Sequence, residues 1–343
     1  MASRYTPIVP SAAALATLAT VLALAPGAAP SGARPPGRLA VVGDGTLYVI
    51  QASDGRKRIV YPLAVSSAAW SRDGRLAYVA DGAVRAGDRW SRVVASLGAR
   101  FSVGVSWAPD GRRLVYAFHP AVAATARLVV ARRDGGRPRI IDTRVSAYQV
   151  PQWSPRGNAI AYLRSSSSGA AIWLVRPDGR GRRLVQRGVA DDGTSVAWSP
   201  DGTQLAFVHA AAGSSQRALS VVRADGAKRR TLASAGGGDD IGDVHWSPRD
   251  DAIAYLRSPD VSAATTELCL AYASGASGRV VVRAPFIDEL AWSPDGRWLA
   301  YITEDPNEPS GVPMSVWIAR ADGSSSRIVA RFDEPAYGLA WGR

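Results

Sequence analysis

Trp292-Ser-Pro-Asp-Gly-Arg-Trp-Leu-Ala-Tyr301 has the grammar of a hairpin: an apolar run ends in tryptophan, a tight turn follows, and a second apolar run begins. Proline fixes φ at one turn position and glycine accepts a positive φ at another. Five further near-copies occur: Trp70-Ser-Arg-Asp-Gly-Arg-Leu-Ala-Tyr78, Trp107-Ala-Pro-Asp-Gly-Arg-Arg-Leu-Val-Tyr116, Trp153-Ser-Pro-Arg-Gly-Asn-Ala-Ile-Ala-Tyr162, Trp198-Ser-Pro-Asp-Gly-Thr-Gln-Leu-Ala-Phe207 and Trp246-Ser-Pro-Arg-Asp-Asp-Ala-Ile-Ala-Tyr255. Trp341-Gly-Arg343 begins a seventh, and the tryptophans stand 37, 46, 45, 48, 46 and 49 residues apart. Later in the copies a second apolar run meets an Asp-Gly pair, as in Ile172 to Gly179 and Val316 to Gly323, which predicts another hairpin. Each copy therefore supplies four strands, here termed a to d.

A repeat of this length with four strands is the blade of a β-propeller. Before Trp70 the chain offers strands b, c and d, from Leu39 to Tyr61, without a strand a. The missing strand lies at the other end, Ala336 to Trp341. The expectation is an all-β, seven-bladed propeller of four-stranded blades over 38–343, closed by the C-terminal strand pairing with the three N-terminal ones. Closure removes the exposed sheet edges that invite aggregation. The Trp-Ser-Pro-Asp-Gly-x-x-Leu-Ala-Tyr repeat resembles that of TolB-type periplasmic proteins and of the propellers attached to prolyl-oligopeptidase-type peptidases. Two departures stand out: the TolB protein resembles six blades behind an α/β domain, whereas this chain reads as seven blades without one.

Ahead of the repeat, Arg4 precedes the uncharged stretch Ser11 to Ala25, the length of a secretory apolar region and short of a bilayer span. Residues 1–33 read as an export signal, with an uncleaved anchor as the alternative, and 34–37 as a linker. The implied location is extracytoplasmic, with no transmembrane domain once the signal is removed. No cysteine stands here to be acylated, and the single Cys269 excludes an internal disulfide framework or a thiolate-rich metal site. Three histidines, His119, His209 and His245, argue against a His-rich centre. The composition, 47% hydrophobic and 20% charged, excludes disorder and a polytopic membrane protein.

Catalytic motifs are scarce. There is no Gly-x-Ser-x-Gly elbow, no Ser-x-x-Lys, and neither Lys57 nor Lys228 completes a phosphate-binding loop. The repeat tryptophans Trp70, Trp107, Trp153, Trp198, Trp246, Trp292 and Trp341 read as packing between blades, and turn aspartates such as Asp110, Asp201 and Asp295 as acceptors for local backbone N–H groups. Cys269 alternates into a sheet and reads as a small buried apolar residue.

The charge pattern is more informative than the net +12, in which all but two of 41 basic residues are arginine. The a–b and c–d turns share one side of the disc and carry Arg56-Lys57-Arg58, Arg112-Arg113, Arg132-Arg133, Arg182-Arg183 and Lys228-Arg229-Arg230. The opposite connections carry Asp191-Asp192, Asp239-Asp240, Asp260, Asp288-Glu289, Glu304-Asp305, Glu308 and Asp333-Glu334, gathered in the later blades, whereas Ser166-Ser167-Ser168 is neutral. Such a disc is electrically polar. The arginine side suits anionic envelope polymers or lipid headgroups, or is a set of solvated hairpin ends. Nucleic acid is not expected, since basic turns without interleaved exposed aromatics lack a stacking platform.

Because strand a lines the channel, Asp240, Asp243, His245, Asp288 and Glu289 form the candidate site at its mouth. Carboxylates with an imidazole suit a divalent cation such as calcium, a cationic ligand or proton transfer; the alternative is solvated acids and channel-wall hydrogen bonds. Two functions follow. The first is a monomeric, non-enzymatic scaffold without a cofactor, binding a protein or cell-envelope partner. The second is a small-molecule lyase or hydrolase at the acidic mouth.

Overall fold

A computed structural model describes residues 34–87, 92–97, 102–120, 125–146, 149–166, 169–190, 196–210, 216–236, 239–259, 265–304 and 313–343. The expected export signal lies outside these residues, as do Asp191, Asp192, Asp260, Asp305 and Glu308. Among the described residues every regular element is a strand, and no helix is long and apolar enough to cross a membrane.

The strands form antiparallel sheets in chain order. The first contains β1 (Arg38–Gly43), β2 (Thr46–Gln51) and β3 (Lys57–Tyr61), and the second β4 (Val65–Trp70), β5 (Leu76–Ala80), β6 (Ala83–Ala86) and β7 (Arg92–Ser96). The third holds β8 (Ser102–Trp107), β9 (Arg113–Phe118), β10 (Ala126–Arg132) and β11 (Arg139–Val145). Next come β12 (Gln152–Trp153), β13 (Ile160–Ser166), β14 (Gly169–Val175) and β15 (Arg183–Val189), then β16 (Ala197–Trp198), β17 (Gln204–Ala210), β18 (Arg217–Arg223) and β19 (Arg230–Ser234). These two sets touch edge to edge through the single pairing Val189↔His209. Two more sheets follow: β20 (Asp240–Trp246), β21 (Ala252–Ser258), β22 (Thr266–Tyr272) and β23 (Arg279–Ala284); β24 (Ile287–Trp292), β25 (Trp298–Glu304), β26 (Met314–Arg320) and β27 (Ser326–Phe332). The last strand, β28 (Ala336–Gly342), returns to β1, with Trp341 opposite Leu39 and Ala336 opposite Gly43.

The repeated turn has a local cause. In the copy at 293–298 the buried Ser293 donates from Oγ to Asp295 Oδ1 (2.6 Å) and accepts from Trp298 N (2.9 Å), while Arg297 N donates to Asp295 Oδ1 (3.2 Å). Gly296, at φ 65°, donates to Ser293 O (2.9 Å). Asp110 and Asp201 accept the same backbone bond, from Arg112 N (2.8 Å) and Thr203 N (3.0 Å). These carboxylates complete turns.

The core lies between sheets. Leu47, Val49, Leu76 and Tyr78 fill the seam of the first two, and Val84, Trp107 and Tyr116 the next. The pattern continues through Val130 with Trp153, Leu174 with Phe207, Val221 with Trp246, and Leu270 with Trp292. It ends where Trp298 and Ile318 of the β24–β27 sheet pack with Leu39, Ile50 and Trp341. Burying such side chains is worth roughly 1.5–3 kcal/mol each.

The repeat tryptophans also tie neighbouring inner strands. The indole N–H of Trp107 donates to Ala69 O (3.2 Å), that of Trp198 to Gln152 O (3.2 Å), and that of Trp292 to His245 O (3.0 Å), each time the residue before the preceding repeat tryptophan.

Candidate functional site

Three residues before their tryptophans, the inner strands β20, β24 and β28 each have an irregularity. On β20 pairing shifts between Gly242 and His245, on β24 between Ile287 and Leu290, and on β28 around Gly338. Asp243 and Gly338 have positive φ, 44° and 68°, and a Cβ at Gly338 would come 3.0 Å from the Val42 side chain. A bulge of this kind releases backbone N–H groups from the ladder, and they need other acceptors. The preceding sheet provides them. Asp243 Oδ2 accepts from Leu290 N (2.9 Å); Glu289 Oε1 and Oε2 accept from Gly338 N (2.9 Å) and Leu339 N (2.6 Å). Asp243 thus grips β24, and Glu289 grips β28.

The other oxygen of Asp243, Oδ1, meets His245 Nε2 at 2.8 Å. The imidazole keeps 35% of its side-chain surface open, yet protein surrounds it at slightly longer range. That desolvation works against the charged ring, but the charge and hydrogen bond of Asp243 and the charge of Glu289 outweigh it, so the His245 pKa is raised. Burial raises the Glu289 pKa, with Asp243 adding to the shift and the Leu339 and Gly338 N–H groups and His245 opposing it. Chemically, Asp243 orients an imidazole that holds its proton more firmly than usual.

The five sequence-selected residues do not all converge. Asp243, His245 and Glu289 form one line across the inner strands. Asp288, next to Glu289, is the more exposed of the two and makes no hydrogen bond or ion pair with Asp243, His245 or Glu289 among the described residues; crowding by protein and then the Glu304 charge raise its pKa to about 6. Asp240 pairs with Arg217 Nε (3.2 Å) and accepts from Ile241 N. Among the described residues, no three His, Cys, Asp or Glu side chains gather to hold a metal ion. Cys269 is 3% exposed, and burial first, then the Glu267 charge, push its thiol up to about 11.

Two features lay outside the sequence reading. Asp142 on β11 is buried, yet it binds Arg164 (2.7 Å) and Arg182 (3.0 Å) of the next sheet and accepts from the Tyr162 hydroxyl. Burial works against its ionised form, but these donors prevail and lower its pKa. The second feature concerns the arginine face. An arginine stands two residues before an apolar position of every outer strand: Arg58, Arg92, Arg139, Arg183, Arg230, Arg279 and Arg327. Four of these donate across the seam to carbonyls of the next sheet's c–d turn: Arg183 to Ala224, Arg230 to Ala273, Arg279 to Ala321 and Asp322, and Arg327 to Ala52 and Ser53. Much of the basic face is therefore internal stapling. Its signal was an arginine of fixed phase, read above only as charge.

Comparison with known proteins places this architecture. Residues 84–250 match the family model described as PD40, the TolB beta propeller domain. Over 108 residues, 30% of the chain, the sequence is 32% identical to the Tol-Pal system protein TolB of Gluconobacter oxydans; that match spans 23% of the relative's length. The crystal structure of TolB from Acinetobacter baumannii is similar with a TM-score of 0.60 at 15% identity, covering 90% of this chain and 67% of that one. An oligogalacturonate lyase from Vibrio parahaemolyticus is similar with a TM-score of 0.61 at 13% identity, covering 85% and 86%. At such identities the structural likeness speaks for the fold. With the repeat grammar, residues 84–250 carry the match to the TolB-type, PD40 β-propeller family, and the chain resembles that family in its repeat and its fold.

Proposed function

We propose that the chain forms a closed, seven-bladed ring that is exported and acts outside the cytoplasm as a binding scaffold, without catalysis, for a protein partner of the cell envelope. Ring closure is supported by the β28–β1 pairing and by the succession of seams from one sheet to the next. The observation that carries the scaffold reading is the use of both channel carboxylates: Asp243 and Glu289 accept backbone N–H groups of the following sheet instead of facing a substrate. The similarity to a Tol-Pal system protein agrees with an envelope partner. On the connection face Asp288, Glu304, Asp333, Glu334 and the Arg217-paired Asp240 are the acids suited to a basic partner surface. Capture from envelope extract with the mature protein tests this: a partner retained by wild type and lost by the Asp240→Asn/Asp288→Asn variant supports it, and equal capture by both overturns the assignment of the face. Mass spectrometry of exported protein, reading a new N-terminus near residue 33, tests export.

A second reading rests on the Asp243–His245 pair, which has the form of an oriented acid–base group at the channel. It makes the chain a small-molecule lyase or hydrolase, in line with the lyase of similar fold. Turnover of oligogalacturonate by wild type and its loss in His245→Ala would establish this reading; no turnover with or without manganese or calcium would remove that substrate. A melting temperature that rises with calcium in wild type but not in Asp243→Asn would mark a cation site.

A further inference from the structure

Leaving Arg58 aside, two of the arginines of this phase, Arg92 and Arg139, do not staple their seams, and those seams are neighbours. Arg92 begins β7 and Arg139 begins β11, in the same phase as the four that bridge their seams, and the carbonyls they would reach by that pattern belong to Arg133 and Pro177. Neither makes a hydrogen bond or ion pair across its seam among the described residues. At each place a cleft stands instead. One of about 760 Å3 is lined by residues including Arg92 and Arg133, and one of about 540 Å3 by residues including Arg139 and Pro177. Arg113 and Arg132 border both, so the two clefts adjoin and together make a grooved surface across three sheets on the turn face.

The groove's charge is not neutralised from within. Nine arginines and three aspartates line it. Asp110 pairs with Arg113 and Asp134 with Arg132, both at 3.0 Å, and Asp178 lies 3.6 Å from Arg176. Arg92, Arg112, Arg133, Arg137 and Arg139 have no ion pair among the described residues, and all five are exposed. Guanidinium groups stay charged at any physiological pH and bind carboxylate or phosphate oxygens through paired N–H donors. A row of them along a groove suits a ligand that repeats its charge along a flexible line.

We propose that this groove binds a linear anionic glycan bearing carboxylate or phosphate groups along its chain. The recessed clefts favour such a chain over a flat bilayer, whose headgroups would reach mainly the rim. A nucleic acid is disfavoured because the aromatic residue lining the groove, Trp107, is only 8% exposed and offers no stacking face. The proposal rests on the extracytoplasmic reading only for where such polymers are met; its test uses purified protein and so stands or falls apart from any protein partner.

Fluorescence anisotropy with labelled alginate oligomers and with poly(glycerol phosphate), at low salt and at 150 mM salt (on the order of physiological ionic strength), provides that test. Saturable binding to at least one polymer is expected, weakening as salt rises. The Arg92→Ala/Arg139→Ala variant should bind at least tenfold more weakly with an unchanged melting temperature. Arg187→Ala/Arg229→Ala, which removes the same charge from elsewhere, should bind as wild type. Equal weakening in both variants would reduce the effect to net charge and overturn the site. Binding to phosphatidylglycerol vesicles without binding to either polymer would overturn the glycan assignment.

Discussion

Replacing Asp142 by Asn changes no shape and removes one buried charge, which makes it the sharpest probe of how two sheets are joined. The Asp142 side chain is 2% exposed. Its oxygens accept from Thr143 N (2.7 Å) and Arg144 N (3.0 Å) as well as from Tyr162, Arg164 and Arg182. An asparagine can keep the backbone bonds through one oxygen, but its amide would turn N–H donors toward three other donors. Arg164, stacked over Trp173 at 4.5 Å, already has a buried Nε without a partner. Removing one member of a buried pair typically costs 3–5 kcal/mol; because Arg182 is 39% exposed and can turn to water, about 3 kcal/mol is expected. For a domain of this size that lowers Tm by about 5 °C.

The pH dependence has a definite sign. The folded pKa of Asp142 lies below its ordinary value of 3.8, so its contribution is complete above that value and is lost as pH falls through the folded pKa. Urea unfolding at pH 7 should show the full difference between wild type and Asp142→Asn, and the difference should shrink below about pH 4. Tyr162→Phe should cost about 1 kcal/mol, and a double-mutant cycle with Arg164→Met should show coupling. A difference under about 1 kcal/mol at pH 7, or one that persists unchanged at pH 3, would refute the ion-network account.

Three other outcomes are open to simple measurement. Deleting residues 335–343 removes Leu339 and Trp341 from their seam and exposes β1 as an edge, so the soluble fraction on expression should fall steeply. For Asp288, whose pKa is raised to about 6 from 3.8, folding loses stability as pH rises between those values; Asp288→Asn should therefore be about 1 kcal/mol more stable than wild type at pH 7, discounted for exposure, and equal to it at pH 3.5 by thermal scan. Arg279→Ala should cost about 1–2 kcal/mol by losing its bonds to Ala321 and Asp322, whereas Arg92→Ala should stay within about 0.5 kcal/mol.

The strand order could be read from the chain because tryptophan, turn and apolar run recur in a fixed phase, and local chemistry such as the Ser293–Asp295 turn enforces that phase. The end strand Ala336 to Trp341 was recognisable as a strand a for the same reason, and β28 occupies that span beside β1. The use of the acids was not legible. Asp288 and Glu289 are adjacent letters with different uses, and no periodicity announces the bulge that makes Gly338 and Leu339 available to Glu289. The arginine staples were hidden differently. Their acceptors are backbone carbonyls, which every residue carries, so the sequence displays the donor but no partner.

The placement of these devices along the chain has a physical logic. At the bulge position the earlier inner strands carry Ser67, Gly104 and Val150, while the later ones carry Asp243 and Glu289. The acids therefore act on β24 and β28, the strands nearest the joint where the chain's two ends meet by hydrogen bonds alone. A non-covalent joint opens more easily than a seam crossed by the chain, so extra grip is worth most there. The two seams at which Arg92 and Arg139 make no such bridge lie earlier in the chain, and the second of them is held instead by Asp142 with Arg164 and Arg182. Those seams can tolerate missing staples without losing the fold, and it is there that guanidinium groups stand exposed around a groove. Grip at the joint and an exposed arginine groove at the early seams draw on one repeated framework with different side chains at corresponding positions.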